Sequence, residues 1–251
     1  MTKFTKENLI IEGKYQERPE LPFVPGMELT GVVEACGSEV VELEIGQRVA
    51  AACGTGAFAE QALVNVSDTV LVPEGVSDID AAGLLVVYGT SIHALRQRAQ
   101  LVEGETLLVL GAAGGVGLSA VQLGKTMGAR VIAAASTKEK LEVAAANGAD
   151  ELVDYGDGEL KDKVKALTGG RGADVIYDPV GGDLFDQATR CINFNGRLLV
   201  IGFASGRIPQ FPVNLSLVKG FSVVGVFWGR FSRKEQPELH RENMTLLFDW
   251  L

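Results

Sequence analysis

From Thr106 onward, short apolar runs alternate with amphipathic segments along the chain. The apolar runs have the length of buried strands, and the segments between them carry apolar residues at helical spacing. This alternation predicts an α/β fold in which helices cover both faces of a parallel sheet. The predicted strands are Leu107–Leu110, Val131–Ala135, Glu151–Asp154, Asp174–Asp178, Leu198–Ile201 and Val223–Phe227, and the predicted helices between the first five are Val116–Met127, Lys138–Asn147, Leu160–Leu167 and Leu184–Ile192.

The N-terminal part of the chain has a different pattern, in which short Val-containing segments are separated by Gly and Pro. Such segments between turn residues are typical of short strands in a β-rich, barrel-like unit. We therefore divide the chain into a β-rich domain at residues 1–82 and an α/β domain at residues 83–251. The sequence shows no internal repeat and no low-complexity segment.

Four glycines, Gly111, Gly114, Gly115 and Gly117, lie where the first strand of the predicted sheet turns into its first helix. A phosphate group needs a tight turn, a backbone without Cβ atoms in the way and the free N–H groups of a helix N-terminus. The common dinucleotide motif is G-x-G-x-x-G, and Ala112 occupies the position of its first glycine here. A tight turn with close helix packing is the alternative, but the repeated βα units around the glycines favour a dinucleotide site.

The second predicted strand ends at Ala135 without an acidic residue. Asp or Glu at this position usually holds the ribose of a cofactor with a free 2′-hydroxyl. Here Ser136, Thr137, Lys138 and Lys140 follow the strand, and hydroxyl and ammonium groups suit a 2′-phosphate, which predicts NADPH rather than NADH. Alternatively, Ser136 caps the next helix and the lysines are solvated surface residues, and the two interpretations are compatible.

Composition and charge limit the classes of function. The chain has 251 residues, of which 47% are hydrophobic, enough for one large domain or two small ones. The formal charge of −9 is spread along the chain, which argues against a nucleic-acid partner. No apolar run reaches the length of a membrane span, and Cys36, Cys53 and Cys191 fit neither a disulfide framework nor a paired metal site. We expect a cytoplasmic protein, with a mitochondrial location open for a longer form.

A family resemblance rests on seven segments: LPFVPGMELTGVV, GQRVAA, VYGTSIHAL, GETLLVLGAAGGVGLSAVQLGK, DPVGGDLF, GRLLVIGFASG and FWGRF. Together they resemble the medium-chain dehydrogenase/reductase superfamily and, within it, the zinc-free quinone oxidoreductase (ζ-crystallin-like) branch. The resemblance implies a GroES-like catalytic domain, a Rossmann domain with a doubly wound sheet of strand order 3-2-1-4-5-6, and NADPH in the cleft between them.

The resemblance also implies a set of cofactor contacts, residue by residue. These are Ser136, Lys140 and Tyr155 at the adenosine 2′-phosphate; Ala113, Gly114, Gly115 and Val116 at the pyrophosphate; Thr90 and His93 along the cofactor cleft; Val180, Ile201, Gly202, Phe203 and Ala204 beside the ribose and nicotinamide; and Phe227 and Trp228 on the nicotinamide or substrate side.

Several of these assignments have a plain alternative. Tyr155 could be an ordinary aromatic at a strand end, and His93 could be a packed histidine in an apolar helix. Phe227 and Trp228 could be core or dimer-interface aromatics, since the sixth strand of the family pairs across a two-fold axis. These alternatives stay open at the level of sequence.

Zinc-dependent members of the superfamily have a Gly-His-Glu motif whose histidine binds the catalytic zinc. In the segment PGMEL, Met27 replaces that histidine and Glu28 remains. A thioether is a poor zinc ligand, and the sequence has only two histidines, His93 and His240. We therefore predict no metal and interpret Glu28 as a structural acid rather than as a catalytic base.

The predicted reaction without zinc is hydride transfer from NADPH to a quinone or an α,β-unsaturated carbonyl, because such acceptors need mainly orientation and a polarising hydrogen bond. No acid–base pair stands out, so no catalytic residue is predicted. The alternatives are a non-catalytic NADPH-binding protein and, with less support, a reductase of enoyl thioesters. A homodimer is expected because the apolar segment VNLSLVKGFSVVGVFWG matches the pairing region of the family, although it could be simply the buried last strand.

Family members continue beyond the points that match both ends of this sequence. We therefore expect a shortened form, in which the first domain is incomplete and the Rossmann domain is essentially whole.

Overall fold

The computed structural model describes residues 6–15 and 18–250. The chain forms two compact units, of which the first comprises Met1–Gly89 and Trp228–Leu251 and the second comprises Thr90–Phe227. The division into domains at residues 1–82 and 83–251 stays a prediction, and the compact units group residues 228–251 with the N-terminal residues.

Helices and strands are numbered here in chain order. The helices are α1 (Lys6–Ile11), α2 (Asp78–Ile92), α3 (Gly115–Thr126), α4 (Lys138–Ala146), α5 (Leu160–Leu167), α6 (Gly182–Ala188), α7 (Asn214–Lys219), α8 (Trp228–Arg230) and α9 (Pro237–Asp249). The strands are β1 (Glu28–Val32), β2 (Arg48–Ala52), β3 (Thr69–Leu71), β4 (Thr106–Leu110), β5 (Arg130–Ala135), β6 (Glu151–Asp154), β7 (Ala173–Asp178), β8 (Ile192–Val200) and β9 (Ser222–Gly225). A 3₁₀ turn, Val66–Asp68, precedes β3, and π-helical turns at His93–Arg98 and Phe231–Glu235 extend α2 and α8.

The first unit contains an antiparallel sheet of three short strands in the order β1-β2-β3. Residues 49–52 of the central strand β2 are buried, whereas β1 is largely half-exposed. Long connections without regular structure separate the strands. The β-rich character predicted for this part of the chain is confirmed, and its strands are few and short.

The second unit contains a six-stranded parallel sheet in the order β6-β5-β4-β7-β8-β9. Counted within this unit, the order is 3-2-1-4-5-6, which confirms the predicted doubly wound α/β fold. Every residue of β4 is buried, as is every residue of β5 except its first. Strands buried on both faces must be covered by helices on both faces, as their continuous apolar runs predicted.

The core of the second unit lies against the middle of this sheet. Leu108, Ile132, Ile176 and Leu198 come from four adjacent strands and are fully buried, and Phe185 of α6 packs against the same cluster. Burial of each such side chain contributes roughly 1.5–3 kcal/mol. This packing fixes the strands whose carboxyl ends carry the candidate site.

No described helix is both long and apolar enough to cross a bilayer.

The structure corrects two predicted elements around β8. The predicted helix Leu184–Ile192 ends at Ala188, because its last residue already belongs to β8. β8 contains a bulge, in which Asn195 has a φ of 58°. The predicted strand Leu198–Ile201 covered only the part of β8 after the bulge, because an Asn-Gly pair is typical of a turn.

The last predicted strand, Val223–Phe227, is also corrected, since β9 ends at Gly225. The N–H of Val226 still donates to the carbonyl of Val200 at 3.1 Å, but Val200 is the last residue of β8. Pairing in the sheet therefore stops at this point, and the chain turns into α8.

Candidate functional site

The order of strands in the parallel sheet reverses between β4 and β7. Doubly wound sheets bind ligands beyond the carboxyl ends of their strands at such a reversal. The loops after β4 and β7 meet here, since a Cβ atom on Gly111 would lie 3.0 Å from Cγ2 of Val180. This edge of the second unit is therefore the place to test the predicted phosphate site.

The turn after β4 depends on glycine at two positions. Gly111 has a φ of 58°, a left-handed conformation that residues with a Cβ atom seldom adopt. A Cβ atom on Gly117 would lie 2.3 Å from the carbonyl oxygen of Gly111, so the helix can approach the turn this closely only without a side chain. The N–H of Gly114 closes the turn by donating to the same carbonyl at 2.9 Å.

Helix α3 starts directly after this turn and presents its N-terminus. Gly114 is the cap residue, with extended backbone (φ −80°, ψ 164°) and no side-chain hydrogen bond, and the N–H of Leu118 donates to its carbonyl at 2.7 Å. The N–H groups that precede this bond have no acceptor within a helix and point toward an incoming anion. Gly114 and Gly115 are exposed, and Ala113 and Val116 are half-buried, so the turn can be reached by a ligand.

The loop after β5 brings together the residues predicted for the 2′-phosphate. Nζ of Lys140 donates to Oγ of Ser136 at 3.0 Å. Thr137, not Ser136, caps α4, because its hydroxyl oxygen accepts from the N–H of Lys140. The alternative in which Ser136 caps the helix is therefore wrong, and the Ser136 hydroxyl lies beside the ammonium group.

Tyr155 follows β6 and joins the same loop. Its N–H donates to the carbonyl of Ala135 at 3.1 Å, and its phenol interacts with the side chain of Ser136. Burial raises the pKa of Tyr155, and the interaction with Ser136 opposes that rise, so the hydroxyl is neutral at neutral pH. A hydroxyl, an ammonium group and a phenol thus surround a strand end at which Ala135 is buried and no carboxylate stands.

A buried carboxylate that the sequence analysis did not single out shapes the loop after β7. Oδ1 of Asp178 accepts hydrogen bonds from the N–H groups of Val180 and Gly181, both at 2.8 Å. Burial raises the pKa of Asp178 to about 6, although the two N–H donors stabilise the carboxylate and oppose the shift. An acidic residue at the end of an apolar strand, directly before Pro-Val-Gly-Gly, is the feature that could have identified it.

The loop after β8 is held to the same strand end. The carbonyl of Asp178 accepts from the N–H of Ile201 at 3.0 Å and from that of Gly202 at 3.4 Å. A Cβ atom on Gly181 would lie 3.0 Å from Cδ1 of Phe203, so the Phe203 ring covers this glycine. The residues predicted beside the ribose and nicotinamide, Val180 and Ile201 to Phe203, therefore converge at one edge of the sheet, while Ala204 is exposed.

Thr90 and His93 lie at the end of α2 and in the π-helical turn that follows. Thr90 is half-buried and His93 is buried. Nδ1 of His93 lies 3.3 Å from Oε1 of Gln97, and burial lowers the pKa of His93 to about 4. His93 is therefore neutral at neutral pH and packed in the unit, and contact of either residue with a cofactor stays a prediction.

Phe227 and Trp228 are placed in different compact units. Phe227 ends the second unit and is exposed. Trp228 is buried in the first unit, where a Cβ atom on Gly89 would lie 2.8 Å from its Nε1 and where its ring meets that of His240 edge-on at 5.4 Å. The side chain of Trp228 thus has a packing role in its own unit, and its predicted contact with a cofactor remains untested.

Met27 and Glu28, which belong to the altered zinc motif, make structural contacts in the first unit. Met27 is buried, and Oε2 of Glu28 accepts from the N–H of Val86 at 2.7 Å. Burial raises the pKa of Glu28, and the backbone bonds partly oppose this rise. These contacts support a structural role for Glu28. Among residues 6–15 and 18–250, no group of three or more His, Cys, Asp or Glu side chains is placed to hold a metal ion.

The geometry of the second unit fits a dinucleotide with a 2′-phosphate. Gly114 and Gly115 expose backbone without side chains, and the buried Gly117 packs directly against the carbonyl of Gly111. Lys140, Ser136 and Tyr155 supply donors for a phosphate at the end of the neighbouring strand.

Comparison with known proteins gives two family matches. Residues 115–243 match the family described as zinc-binding dehydrogenase, and residues 4–74 match the alcohol dehydrogenase GroES-like domain. The first of these begins within the glycine turn, at residue 115, and covers the loops that follow it. The second covers the three-stranded sheet of the first unit.

Relatives and solved structures agree with these matches. The chain is 47% identical over 240 residues to quinone oxidoreductase-like protein 2 homolog of Nematostella vectensis, covering 95% of this chain and 65% of that protein. It is 43% identical over 242 residues to quinone oxidoreductase-like protein 2 of Rattus norvegicus, covering 96% and 69%. The chain thus spans about two thirds of the length of these relatives. The structure of Escherichia coli quinone oxidoreductase complexed with NADPH superposes with a TM-score of 0.89 at 28% identity, covering 98% of this chain and 75% of that one.

Proposed function

Because this chain belongs to the quinone oxidoreductase branch of the medium-chain dehydrogenase/reductase superfamily, we propose that it binds NADPH and uses it to reduce a quinone or an α,β-unsaturated carbonyl. NADPH supplies a hydride when it is bound. The protein supplies binding and orientation, and the residues that do so lie at the carboxyl edge of the parallel sheet.

The preference for NADPH over NADH is assigned to the cluster of Ser136, Lys140 and Tyr155. The three polar groups lie together, with Lys140 Nζ 3.0 Å from Ser136 Oγ and the Tyr155 phenol close enough to Ser136 to interact with its side chain. A 2′-phosphate would accept from all three, whereas the ribose hydroxyls of NADH would meet no carboxylate at the buried Ala135. Lys140 is exposed and provides the positive charge.

The other parts of the cofactor are assigned to loops farther along the same edge of the sheet. We assign the pyrophosphate to the N–H groups of the turn Ala113 to Val116, and the ribose and nicotinamide to the loops that contain Val180 and Ile201 to Phe203. Hydrogen bonds from these loops to Asp178 hold them in place, so they can orient the ring without contributing acid–base chemistry.

We propose that the reaction proceeds without zinc. The proposal rests on Met27, which stands where zinc-dependent members have a histidine, and on the absence of a ligand cluster among the described side chains. Acceptors such as quinones are already electron-poor and need no Lewis acid for hydride addition. The acceptor takes its proton from solvent in this scheme.

The test is to compare wild type and Lys140→Ala by fluorescence titration with NADPH and with NADH. Loss of the ammonium group should weaken NADPH about tenfold and leave NADH almost unchanged, because only NADPH carries the 2′-phosphate. Lys138→Ala is the matched control, since Lys138 is exposed and its ammonium group lies 3.9 Å from Glu142 rather than beside Ser136. Equal losses of both nucleotides would refute the assignment of Lys140.

Oxidation of NADPH in the presence of 9,10-phenanthrenequinone distinguishes an enzyme from a binding protein. Turnover supports the proposed reductase. Binding of NADPH without oxidation would instead support the alternative of a non-catalytic NADPH-binding protein. If the protein binds neither nucleotide, both functions are excluded.

We further propose a homodimer formed through the edge of the sheet. β9 is the last strand of the sheet. Three apolar side chains on either side of it in sequence, Leu217, Val218 and Phe227, are 84%, 77% and 48% exposed. Edge strands with exposed apolar neighbours are ready to pair with a second copy. Sedimentation velocity should show a dimer for the wild type and for the control Val41→Asp, and a monomer for Val218→Asp; a dimer in all three would rule out this surface.

A further inference from the structure

Three buried hydroxyl groups meet behind the glycine turn of the second unit. Oγ of Ser91 in α2 lies 2.7 Å from Oγ of Ser119 in α3 and 2.8 Å from the hydroxyl oxygen of Tyr177 in β7. The side chains belong to residues with exposed fractions of 0%, 1% and 0%. We call this group the hydroxyl cluster.

The hydroxyl cluster is attached to the backbone of the turn through one carbonyl. Oγ of Ser91 and Oγ of Ser119 each lie 3.1 Å from the carbonyl oxygen of Val116, which can accept a hydrogen bond from either hydroxyl. A carbonyl can only accept and each hydroxyl has one hydrogen, so the hydrogens of the two serines are shared between this carbonyl and the bond that joins Ser91 to Ser119. Burial raises the pKa of Tyr177, which keeps its hydroxyl protonated and able to donate to Ser91.

The position of this carbonyl connects the cluster to the ligand side of the turn. The peptide group between Val116 and Gly117 is planar, and its C=O and N–H point in opposite directions. Hydrogen bonds that hold the C=O of Val116 therefore also hold the direction of the Gly117 N–H. That N–H belongs to the first turn of α3, whose donors have no acceptor within the helix.

Burying three hydroxyl groups between helices and a strand costs free energy unless each forms a hydrogen bond, because each loses its bonds to water. The neighbouring positions of β7, Val175 and Ile176, are apolar and fully buried. The cluster thus joins α2, α3 and β7 by polar contacts at a position where apolar packing would otherwise suffice. A role in aligning the turn explains why the hydroxyls lie here.

We propose that Ser91 and Tyr177 are positioning residues for the cofactor: through the Val116 carbonyl, they set the first turn of α3 so that its N–H groups meet the pyrophosphate of NADPH. This inference rests on the proposed NADPH binding. It concerns residues that contact no part of the cofactor themselves and that act through the backbone.

The test compares two ligands that use different parts of the site. NADPH contacts the glycine turn and the Ser136–Lys140 loop, whereas adenosine 2′-monophosphate contacts only the loop. Calorimetry with Ser91→Ala and Tyr177→Phe should show NADPH weakened about tenfold and adenosine 2′-monophosphate by less than about twofold. Tyr177→Phe removes one hydroxyl and almost no volume, so it decides the test where Ser91→Ala yields little folded protein.

Thr168→Val is the matched control for general loss of stability. The Thr168 hydroxyl is buried in the same unit and bonds the carbonyl of Val164 and the N–H of Gly172, both at 2.8 Å. This variant should melt at a lower temperature, and the ratio of its affinities for the two ligands should stay that of the wild type. A change of the ratio in the control equal to that in the cluster variants would overturn the inference.

Two further results would also overturn it: equal weakening of both ligands by the cluster variants, or no weakening of NADPH by either of them. Failure of the wild type to bind NADPH is a different outcome, which removes the proposed function itself. The two failures are therefore distinguishable in the same experiment.

Discussion

β4 in the second unit is buried at every residue, whereas β1 in the first unit is half-exposed at four residues and exposed at the fifth. The first is the centre of a parallel sheet between layers of helices, and the second is the edge of a small antiparallel sheet. Groups that must stay fixed, such as the N–H groups to which we assign the phosphate, directly follow the fully buried strand. The core directly beneath the candidate site therefore holds it rigid.

The largest expected effect tests this difference in packing. Leu108→Ala in β4 should lower the free energy of unfolding by about 2–5 kcal/mol, because the side chain is fully buried and leaves a cavity. Leu71→Ala in β3 should cost less than about 1 kcal/mol, since Leu71 is 49% exposed. Urea unfolding measures both, and similar losses would show that the two sheets are equally well packed.

The second prediction concerns pH and the buried carboxylate at the edge of the larger sheet. The pKa of Asp178 is raised to about 6 from 3.8, so the folded protein retains a proton that the unfolded chain releases between these values. Its contribution to stability is present below about pH 4 and is lost as the pH rises through about 6, a change of about 3 kcal/mol. Asp178→Asn should remove this decrease in the free energy of unfolding, because the amide does not titrate.

The measurement is urea unfolding of both proteins at several pH values between 4 and 7.5. The lowered pKa of His93 acts in the opposite direction, since its stability contribution is lost as the pH falls, but it is common to both proteins. The difference between the two profiles therefore isolates Asp178. Parallel profiles would contradict a raised pKa at this residue.

The third and smallest effect compares one glycine in each unit. Gly117→Ala should weaken NADPH between about tenfold and a hundredfold, because the new Cβ atom must displace the carbonyl of Gly111 and with it the phosphate turn. Gly83→Ala in α2 has no atom within 4 Å of the new Cβ and should leave binding unchanged. Fluorescence titration with NADPH measures both, and equal affinities would show that the close approach at Gly117 is not needed.

The order of elements in the second unit was predictable because local pattern and final structure agree there. The apolar runs that become β4, β5 and β7 are buried at almost every residue, so each is continuous in sequence and easily separated from the helices. The bulge in β8 was missed for the opposite reason. Asn195 and Gly196 are typical of a turn, and only pairing with β7 on either side keeps them in a strand.

At the candidate site, functional groups that lie close together in the sequence were predictable. Groups brought together from distant segments were not. The turn at Gly111 to Gly117 and the loop at Ser136 to Lys140 are each continuous stretches. The hydroxyl cluster joins Ser91 to Tyr177 across three elements, and Asp178 acquires its raised pKa only from burial. Neighbouring residues can mark Asp178 as a candidate, but they reveal neither its raised pKa nor the hydroxyl cluster.

The sequence by itself determined the βα alternation, the glycine turn and the absence of an acidic residue after β5, because these depend on residue type and short spacing. Tertiary structure alone decided which hydroxyl caps α4, which carboxylate is buried and where the Trp228 side chain packs. The physical reason is that burial, desolvation and hydrogen-bond partnership are properties of the space around a side chain, and that space is built by segments far apart along the chain.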